Sequence, residues 1–264
     1  ANIADNNTAV GKSALVANTT GTQNVAVGSL AGDAITTGDG NTAIGYFSLS
    51  TTTTADNNTA VGVDSLGLNS TGANNTGIGR DALRSNTTGA YNVAVGALAL
   101  DANTTASYNV GMGYGALSAV VTGASNTAVG HQALEDNTAS NNTAVGANAL
   151  LQNTTGTRNT AVGSLALDAN TTADYNTAVG YSSLGANTTA THNAAFGYYT
   201  LPLNTTGVQN TAIGSQALAA NTTANNNTAV GMNAMVANTT GAENVAIGAN
   251  ALDANTTGAS NVAV

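Results

Sequence analysis

Few stretches of this chain carry residues that could do chemistry, and the first is the tetrapeptide Val-Gly-Lys-Ser at Val10–Ser13. It matches the end of a phosphate-binding loop, which also needs a glycine five residues before the glycine of the Gly-Lys pair. Asn6 stands at that position. The Val-Gly pair itself recurs throughout the chain, with other residues in place of Lys12. The tetrapeptide therefore belongs to a repeat and does not predict nucleotide binding.

Side chains that could act as acids, bases or metal ligands are scarce and scattered. The chain has two histidines, His131 and His192, and no cysteine. The histidines stand at different positions of the repeat without a shared acidic partner, so they predict neither a metal site nor a catalytic pair. Calcium-binding repeats carry aspartate at one fixed position, whereas the aspartates here vary in position, as in Asp33, Asp64, Asp81 and Asp101. We expect no cofactor, no metal and no enzymatic activity.

The charge of the chain also restricts its partners. Charged residues make up 6% of the sequence, four of them Lys or Arg, and the formal net charge is −9. Nucleic acids and anionic membranes bind clustered cations, so neither is an expected partner. The sequence holds no run of about 18 apolar residues, and we therefore expect no membrane insertion by this segment.

The elements that would position any functional group come from a 17-residue repeat. Its pattern is N-[TV]-A-[VI]-G-x-x-A-L-x-x-N-T-T-[GA]-x-x, and one interval, between Gly130 and Gly146, has 16 residues. We place the missing residue in the turn between Asn137 and Asn142. Residues 1–264 are predicted to form one continuous array. The aligned glycines are Gly11, Gly28, Gly45, Gly62, Gly79, Gly96, Gly113, Gly130, Gly146, Gly163, Gly180, Gly197, Gly214, Gly231 and Gly248.

Alternation of residue types before each glycine predicts a short β-strand, because side chains on a strand point to opposite faces in turn. We predict a second short strand through x-A-L and a turn at N-T-T-G. One such unit cannot bury its apolar face alone, so the units must stack as a parallel β-solenoid, a flattened two-sheet β-roll of about fifteen coils. At about 4.8 Å per coil the rod would be roughly 70 Å long. The predicted core packs Val10, Val27 and Ile44 against Leu15 and Leu49.

Asparagine and glycine recur without exception at two positions. Stacked asparagines can hydrogen-bond to each other as a ladder, and we expect one along the column that includes Asn7, Asn24, Asn41 and Asn58. A second asparagine column opens the N-T-T turn and is interrupted at Ile35, Thr52 and Val120. The glycines at the strand ends require either a positive φ or a close neighbouring backbone; this column includes Gly11, Gly28, Gly45 and Gly62.

The alanine column lies on the strand face opposite the predicted core and leaves two interpretations open. A face restricted to alanine or glycine suggests close packing of something flat, most simply another copy of the rod. Alternatively, it is a thin second layer of the coil's own core. The residues in question include Ala9, Ala26, Ala43, Ala60 and Ala94.

The variable positions after each glycine carry most of the aromatic residues. An exposed aromatic strip would suit adhesion or lateral contact, whereas the alternative is that these surface positions simply tolerate any residue. The candidates are Tyr46, Phe47, Tyr114, Tyr181, Tyr198 and Tyr199. The repeat also generates sixteen Asn-x-Ser/Thr sequons, the acceptor motif for N-linked sugar.

The strand segments Asn-Thr-Ala-Val-Gly and Asn-Val-Ala-Ile-Gly resemble the head repeats of YadA-like trimeric autotransporter adhesins, and similar tracts occur in phage tail-fibre proteins. The resemblance extends over essentially the whole chain, although the repeat unit here is longer than the family's usual one. It implies a left-handed β-roll, three chains side by side, and a location outside the cell, at the cell surface or on a virion.

Two functional hypotheses from different classes follow. The first is a structural protein that self-associates into an extracellular fibre, filament or adhesin, with a host or surface receptor as a further partner; a receptor-binding phage fibre is a variant of it. The second is an ice-binding solenoid, which would need a flat double row of threonines two residues apart. The paired threonines of the N-T-T turn are adjacent, so in an extended chain they would point to opposite faces.

The two ends of the chain carry no charged, proline or helical cap. The sequence begins in a predicted turn at Ala1 and stops in mid-strand at Val264. Unpaired strands act as templates for association. We therefore expect the terminal strands to pair end to end with a neighbouring subunit or with further repeats of a longer chain.

Overall fold

The structure, a computed structural model, describes residues 4–264; Ala1, at which we placed the first turn, lies outside them. The described chain is all-β and contains no helix, hence none that could cross a membrane. The strands are β1 (Thr8–Val10), β2 (Val25–Val27), β3 (Thr42–Ile44), β4 (Thr59–Val61), β5 (Thr76–Ile78), β6 (Val93–Val95), β7 (Val110–Met112), β8 (Thr127–Val129), β9 (Thr143–Val145), β10 (Thr160–Val162), β11 (Thr177–Val179), β12 (Ala194–Phe196), β13 (Thr211–Ile213), β14 (Thr228–Val230), β15 (Val245–Ile247) and β16 (Val262–Ala263).

The chain divides after Gln132 into two compact units, one with β1–β8 and the other with β9–β16. Within each unit every strand pairs in parallel with the next one along the chain. The register is one repeat: Thr8 lies opposite Val25 in the first unit, and Thr160 lies opposite Thr177 in the second. The predicted parallel β-solenoid with 17-residue coils is confirmed.

The alanine column fills the inside of the coil, and the valine column faces out. Ala26 and Ala94 are fully buried, whereas Val27 and Ile44 keep more than a third of their surface exposed. The prediction that Val10, Val27 and Ile44 form the core is therefore wrong. Alternation along a strand separates the two faces but does not say which is inside. The narrow coil has room there for no more than a methyl group.

The same burial decides between the two interpretations of the alanine column. Ala26, Ala43, Ala60 and Ala94 are at most 1% exposed, so they cannot pack against another copy of the chain. The prediction of lateral packing through these residues is therefore wrong. They form the thin inner layer of the coil's own core. Ala9, in the strand β1, is exposed.

The predicted second strand is a turn, so each unit has one sheet and the two-sheet roll is wrong. The second and fourth residues after each glycine adopt left-handed backbone angles, as at Phe47 (φ 58°) and Leu49 (φ 49°). Leu49 nevertheless points inward and is fully buried, as predicted for the leucine column. Burying a leucine stabilises by about 1.5–3 kcal/mol, which offsets the roughly 1–2 kcal/mol cost of the left-handed conformation.

Backbone hydrogen bonds between coils continue through this turn. The Leu66 N–H donates to the Ala82 carbonyl over 3.0 Å, and the Asp64 N–H donates to the Tyr46 carbonyl over 3.0 Å. The turn therefore holds neighbouring coils together much as the strands do, although its dihedral angles are not those of a strand.

The predicted asparagine ladder before the strands is confirmed. The Asn24 N–H donates to the Asn7 Oδ1 over 2.8 Å, and the Asn41 N–H donates to the Asn24 Oδ1 over 2.8 Å. The Asn41 side-chain amide also donates to the Ala55 carbonyl of the next coil (2.8 Å). Each asparagine thus pairs a neighbouring backbone donor and acceptor that would otherwise be buried without partners.

The asparagine column of the N-T-T turn forms a second ladder. The Asn86 amide donates to the Asn69 Oδ1 (2.7 Å) and to the Gly89 carbonyl three residues on (2.9 Å). The Asn103 amide in turn donates to the Asn86 Oδ1 (2.8 Å). Where the column is uninterrupted, each side chain closes its own turn and joins it to the turn one coil before.

Interruptions of the second ladder leave buried oxygens unpaired. Ile35 and Val120 cannot donate a hydrogen bond, and the Oδ1 atoms of Asn18 and Asn103, one coil earlier, are buried without a partner. Thr52 is a milder interruption, because its hydroxyl accepts from the Asn69 amide over 3.2 Å. An unpaired buried acceptor costs about 1–3 kcal/mol.

Both reasons offered for the strand-end glycines apply together. Gly11, Gly28, Gly45 and Gly62 have φ between 130° and 139°. In each of them an added Cβ would overlap the carbonyl oxygen of the glycine one coil further on.

The short repeat is accommodated in its turn, as predicted. The Asn137 amide reaches the Ala139 carbonyl two residues on (2.8 Å), whereas the Asn153 amide reaches the carbonyl three residues on. The ladder continues, since the Asn153 amide donates to the Asn137 Oδ1 over 2.7 Å. The strands β9 and β10 that follow are paired in the usual register.

The strand-end glycine predicts a graded loss of stability. In Gly163→Ala the new Cβ would lie 2.5 Å from the Gly180 carbonyl oxygen at a φ of 132°, whereas in Gly248→Ala it meets nothing within 4 Å at a φ of 126°. We expect the control Gly248→Ala to cost about 1–3 kcal/mol through backbone strain alone and Gly163→Ala to cost clearly more. Urea unfolding measures both. Equal costs would contradict the overlap.

The interrupted ladder predicts that one substitution has different costs one coil apart. Asn86→Val creates a new unpaired acceptor, the Asn69 Oδ1, while the one at Asn103 remains. Asn103→Val only moves the existing unpaired oxygen from Asn103 to Asn86. We expect Asn86→Val to be more destabilising by about 1–3 kcal/mol in urea unfolding; identical values for these two fully buried positions would refute this account of the ladder.

Candidate interaction surface

The outward side of the strands presents two rows of uncharged side chains. The last residue of each three-residue strand is always apolar, and we call this row the apolar stripe. The first residue of each strand is Thr, Val or Ala and is half-buried in all but the end strands; we call it the threonine row. The stripe consists of Val27, Ile44, Val61, Ile78, Val95, Met112 and Val129 in the first unit after the exposed Val10, and of Val145, Val162, Val179, Phe196, Ile213, Val230 and Ile247 in the second.

The geometry of this sheet face follows from the short strands. Alanine points inward between the two rows, so both rows point outward about 7 Å apart, and successive coils repeat them at about 4.8 Å. The face of each unit therefore covers roughly 300–400 Å², the size at which an apolar patch is often functional. No residue of either row is charged.

The tyrosines directly after the glycines are exposed and lie in discrete groups. Tyr114 stacks on His131 with ring centroids 5.6 Å apart, and Tyr181 stacks on Tyr198 at 5.7 Å. The stacked partners are one coil apart. Tyr46 has no aromatic residue in the same column one coil later.

The other two predicted aromatic residues stand one position later, at left-handed backbone angles. The Phe47 ring meets the Tyr46 ring edge to face at 4.6 Å, and the Tyr199 ring is tilted against the Tyr198 ring at 5.8 Å. The structure thus groups Tyr181, Tyr198 and Tyr199 together. It does not bring the six residues into one strip.

A second aromatic column was missed by the sequence prediction. It stands directly before the strand asparagine and includes Tyr91 and Tyr108, whose exposed rings are stacked at 5.4 Å and nearly parallel. In the same column Tyr175 stacks on His192 at 5.0 Å, and the Arg158 guanidinium lies 5.3 Å from the Tyr175 ring centre. The spacing of 17 between each stacked pair was the signal that could have found them.

Polar groups do not converge on a reaction centre in the part of the chain described. No pocket opens among residues 4–264, and no three His, Asp or Glu side chains there could hold a metal ion together. An ion-pair cluster joins Arg80 and Arg84 to Asp81, at 3.5 and 3.8 Å, with both arginines more than half exposed. Exposed pairs of this kind contribute little to stability.

Three aspartates share the position directly after the leucine column, the fifth residue after the strand-end glycine, and their carboxyls are partly buried. Burial raises the pKa of Asp33, Asp101 and Asp168, against the opposing effect of backbone hydrogen bonds. They lie four coils apart along the repeat, so they do not form one acidic site.

Comparison with other proteins adds no family to this description: no protein-family model and no curated protein matches the chain. The fold therefore defines the class by itself. It is a parallel β-solenoid with asparagine ladders inside and an uncharged apolar stripe outside.

The raised pKa of Asp168 predicts a dependence of stability on pH. Burial penalises the carboxylate, so the folded chain binds this proton more tightly than the unfolded chain, whose value is 3.8. Stability from this group is therefore lost as pH rises from below 3.8 through the raised value. We expect Asp168→Asn to be modestly more stable than wild type at pH 7, with the difference vanishing near pH 3. Thermal unfolding across pH measures it.

The matched control is Asp253→Asn, which replaces an exposed aspartate at the same position of the repeat. Its effect on unfolding should be the smaller one. A benefit of Asp168→Asn that persists unchanged at pH 3 would show that the carboxylate charge is not its cause.

Proposed function

We propose that the chain is a non-enzymatic structural protein that self-associates laterally into a rigid extracellular or cell-surface fibre, filament or adhesin. The observation that carries the proposal is the apolar stripe with its threonine row, which leaves an uncharged apolar face outside each unit. Apolar patches of this size are often functional. The resemblance to adhesin head repeats supports the location, and a receptor-binding phage fibre is the variant it also allows.

A second copy of the same chain is the occupant that suits this face best. Its side chains repeat at a fixed spacing, so an identical face presents ridges and grooves at the same interval. Neither row contains a charge that would favour a charged partner. Residues such as Val162 are already held by the inter-coil hydrogen bonds of their strand, which lowers the ordering cost of association.

The exposed aromatic stacks provide a different kind of contact. Tyr91, Tyr108, Tyr181 and Tyr198 stand in the turns and not on the sheet face, so they remain available when the face is covered. Tyrosine rings with an exposed hydroxyl are common in recognition surfaces. We assign the stacks to contact with a host or surface receptor, and end-to-end pairing of terminal strands stays a separate proposal.

The ice-binding alternative has less support in the outward side chains. The two outward positions of a strand are two residues apart, but only one of them carries hydroxyl groups, and Val25, Val93 and Val110 interrupt that row. In the turn, the Thr87 hydroxyl donates to the Thr104 carbonyl over 3.0 Å and is not free to order water. A fibre-forming role does not require a double row of free threonine hydroxyls.

A charge in the apolar stripe should prevent lateral association. We expect Val162→Lys to weaken self-association by at least about tenfold, because the ammonium would have to lose its water at the interface. Sedimentation of wild type and variant over a range of concentrations measures the change. The thermal melt of dilute protein should change little, since Val162 is 37% exposed.

The control is Thr172→Lys, which adds the same charge at an exposed turn position away from the sheet face. It should associate like wild type. The proposal fails if wild type stays monomeric at all concentrations, or if Val162→Lys and Thr172→Lys associate equally well.

A further inference from the structure

The sixteen Asn-x-Ser/Thr sequons fall into two structurally different sets. Eleven begin at asparagines of the turn ladder, which has twelve asparagines; Asn137 is excluded because Ala139 stands at its third position. The other five begin at the residue directly before the strand asparagine. These five acceptors are Asn6, Asn57, Asn74, Asn141 and Asn226.

Nine of the eleven ladder asparagines are fully buried and cannot carry a sugar in the folded coil, whereas Asn18 and Asn255 are half-buried. Asn86 is fully buried, and its Nδ2 already donates to the Asn69 Oδ1 and to the Gly89 carbonyl. N-glycosylation replaces one Nδ2 hydrogen by a sugar carbon. The interior of the coil has no space for the sugar, so modification there requires the coil to open.

The five acceptors directly before the strand asparagine lie on the outside of the coil, unlike the ladder asparagines. All are exposed and adopt left-handed angles, with φ between 58° and 64°. None of their side-chain amides donates a hydrogen bond among the described residues. The backbone is held at Asn57, Asn74 and Asn226, whose N–H groups donate to carbonyl groups one coil earlier over 2.9, 3.1 and 3.1 Å.

The position directly before the strand asparagine accommodates large side chains. Tyr91, Tyr108, Arg158 and Tyr175 occupy this same position in other coils and project into solvent without disturbing the coil stack. A sugar attached to Asn57 or Asn74 would therefore extend outward from the turn. The space is already used by larger side chains than asparagine.

We propose that Asn6, Asn57, Asn74, Asn141 and Asn226 are acceptor sites for N-linked sugar on the folded solenoid. The donor class is a nucleotide-activated sugar. The Nδ2 attacks the sugar C1, an N–C bond forms, the bond from C1 to the nucleoside diphosphate breaks, and the amide loses one proton. The proposal goes beyond the fibre function and does not depend on it.

The test uses the folded 264-residue chain, a soluble sequon-specific N-glucosyltransferase and UDP-glucose. Peptide mass spectrometry then maps the modified asparagines. We expect occupancy at the five exposed asparagines to exceed that at the nine fully buried ladder asparagines by at least tenfold. A proteolytic digest of the same chain, treated identically, should lose this preference because its coils no longer exist.

A matched variant identifies each acceptor by its sequon. Thr59→Val removes the sequon of Asn57 and keeps the fold, since valine stands at the same position in Val25 and Val93. It should remove sugar from Asn57 alone and leave Asn74 unchanged. Sugar on the fully buried ladder asparagines of the folded chain at comparable occupancy would overturn the proposal, as would its absence from all five exposed asparagines.

Discussion

The narrow interior of the 17-residue coil is the constraint on which the rest of the structure depends. Opposite walls approach so closely that an added Cβ at Gly77 would lie 2.7 Å from the Ser65 Oγ. Inside the strand only alanine or glycine fits, and the turns add small residues, flat amides and, in most coils, one leucine. The larger aliphatic side chains of the strands are consequently displaced to the outside, where they create the uncharged face that distinguishes the surface.

The same narrowness makes polar side chains necessary inside. Turns on both sides of the strand direct backbone carbonyls and N–H groups into a region that excludes water, and each needs a partner. Asparagine offers an acceptor and a donor on one short planar group, so it can satisfy the backbone of one coil and join the next. This explains why asparagines such as Asn24 and Asn41 replace part of what would be an apolar core in a thicker domain.

Much of this architecture could be predicted from sequence spacing. The strand positions, the coil length, the ladder of Asn24 and Asn41 and the need for glycine at positions such as Gly45 all follow from columns of identical residues. The inward face could not be predicted, because a two-residue period is satisfied with either Ala26 or Val27 inside. Leucine rarely adopts a left-handed angle, so nothing in the sequence suggested a turn at Leu49. The surface was only half predicted, because Tyr91 and Tyr108 stand outside the column after the glycine.

The direction of the inter-coil hydrogen bonds has a mechanical consequence within each unit. These bonds run along the stacking axis, so tension along that axis is carried by one interface between coils after another. A chain of interfaces in series yields at its weakest member, whatever the strength of the others. In the first unit those members are the coils at Ile35 and Val120, where the ladder lacks a bond. Under load, extension would begin at these two points and proceed coil by coil, so that each released coil lengthens the protein while the remaining coils stay intact.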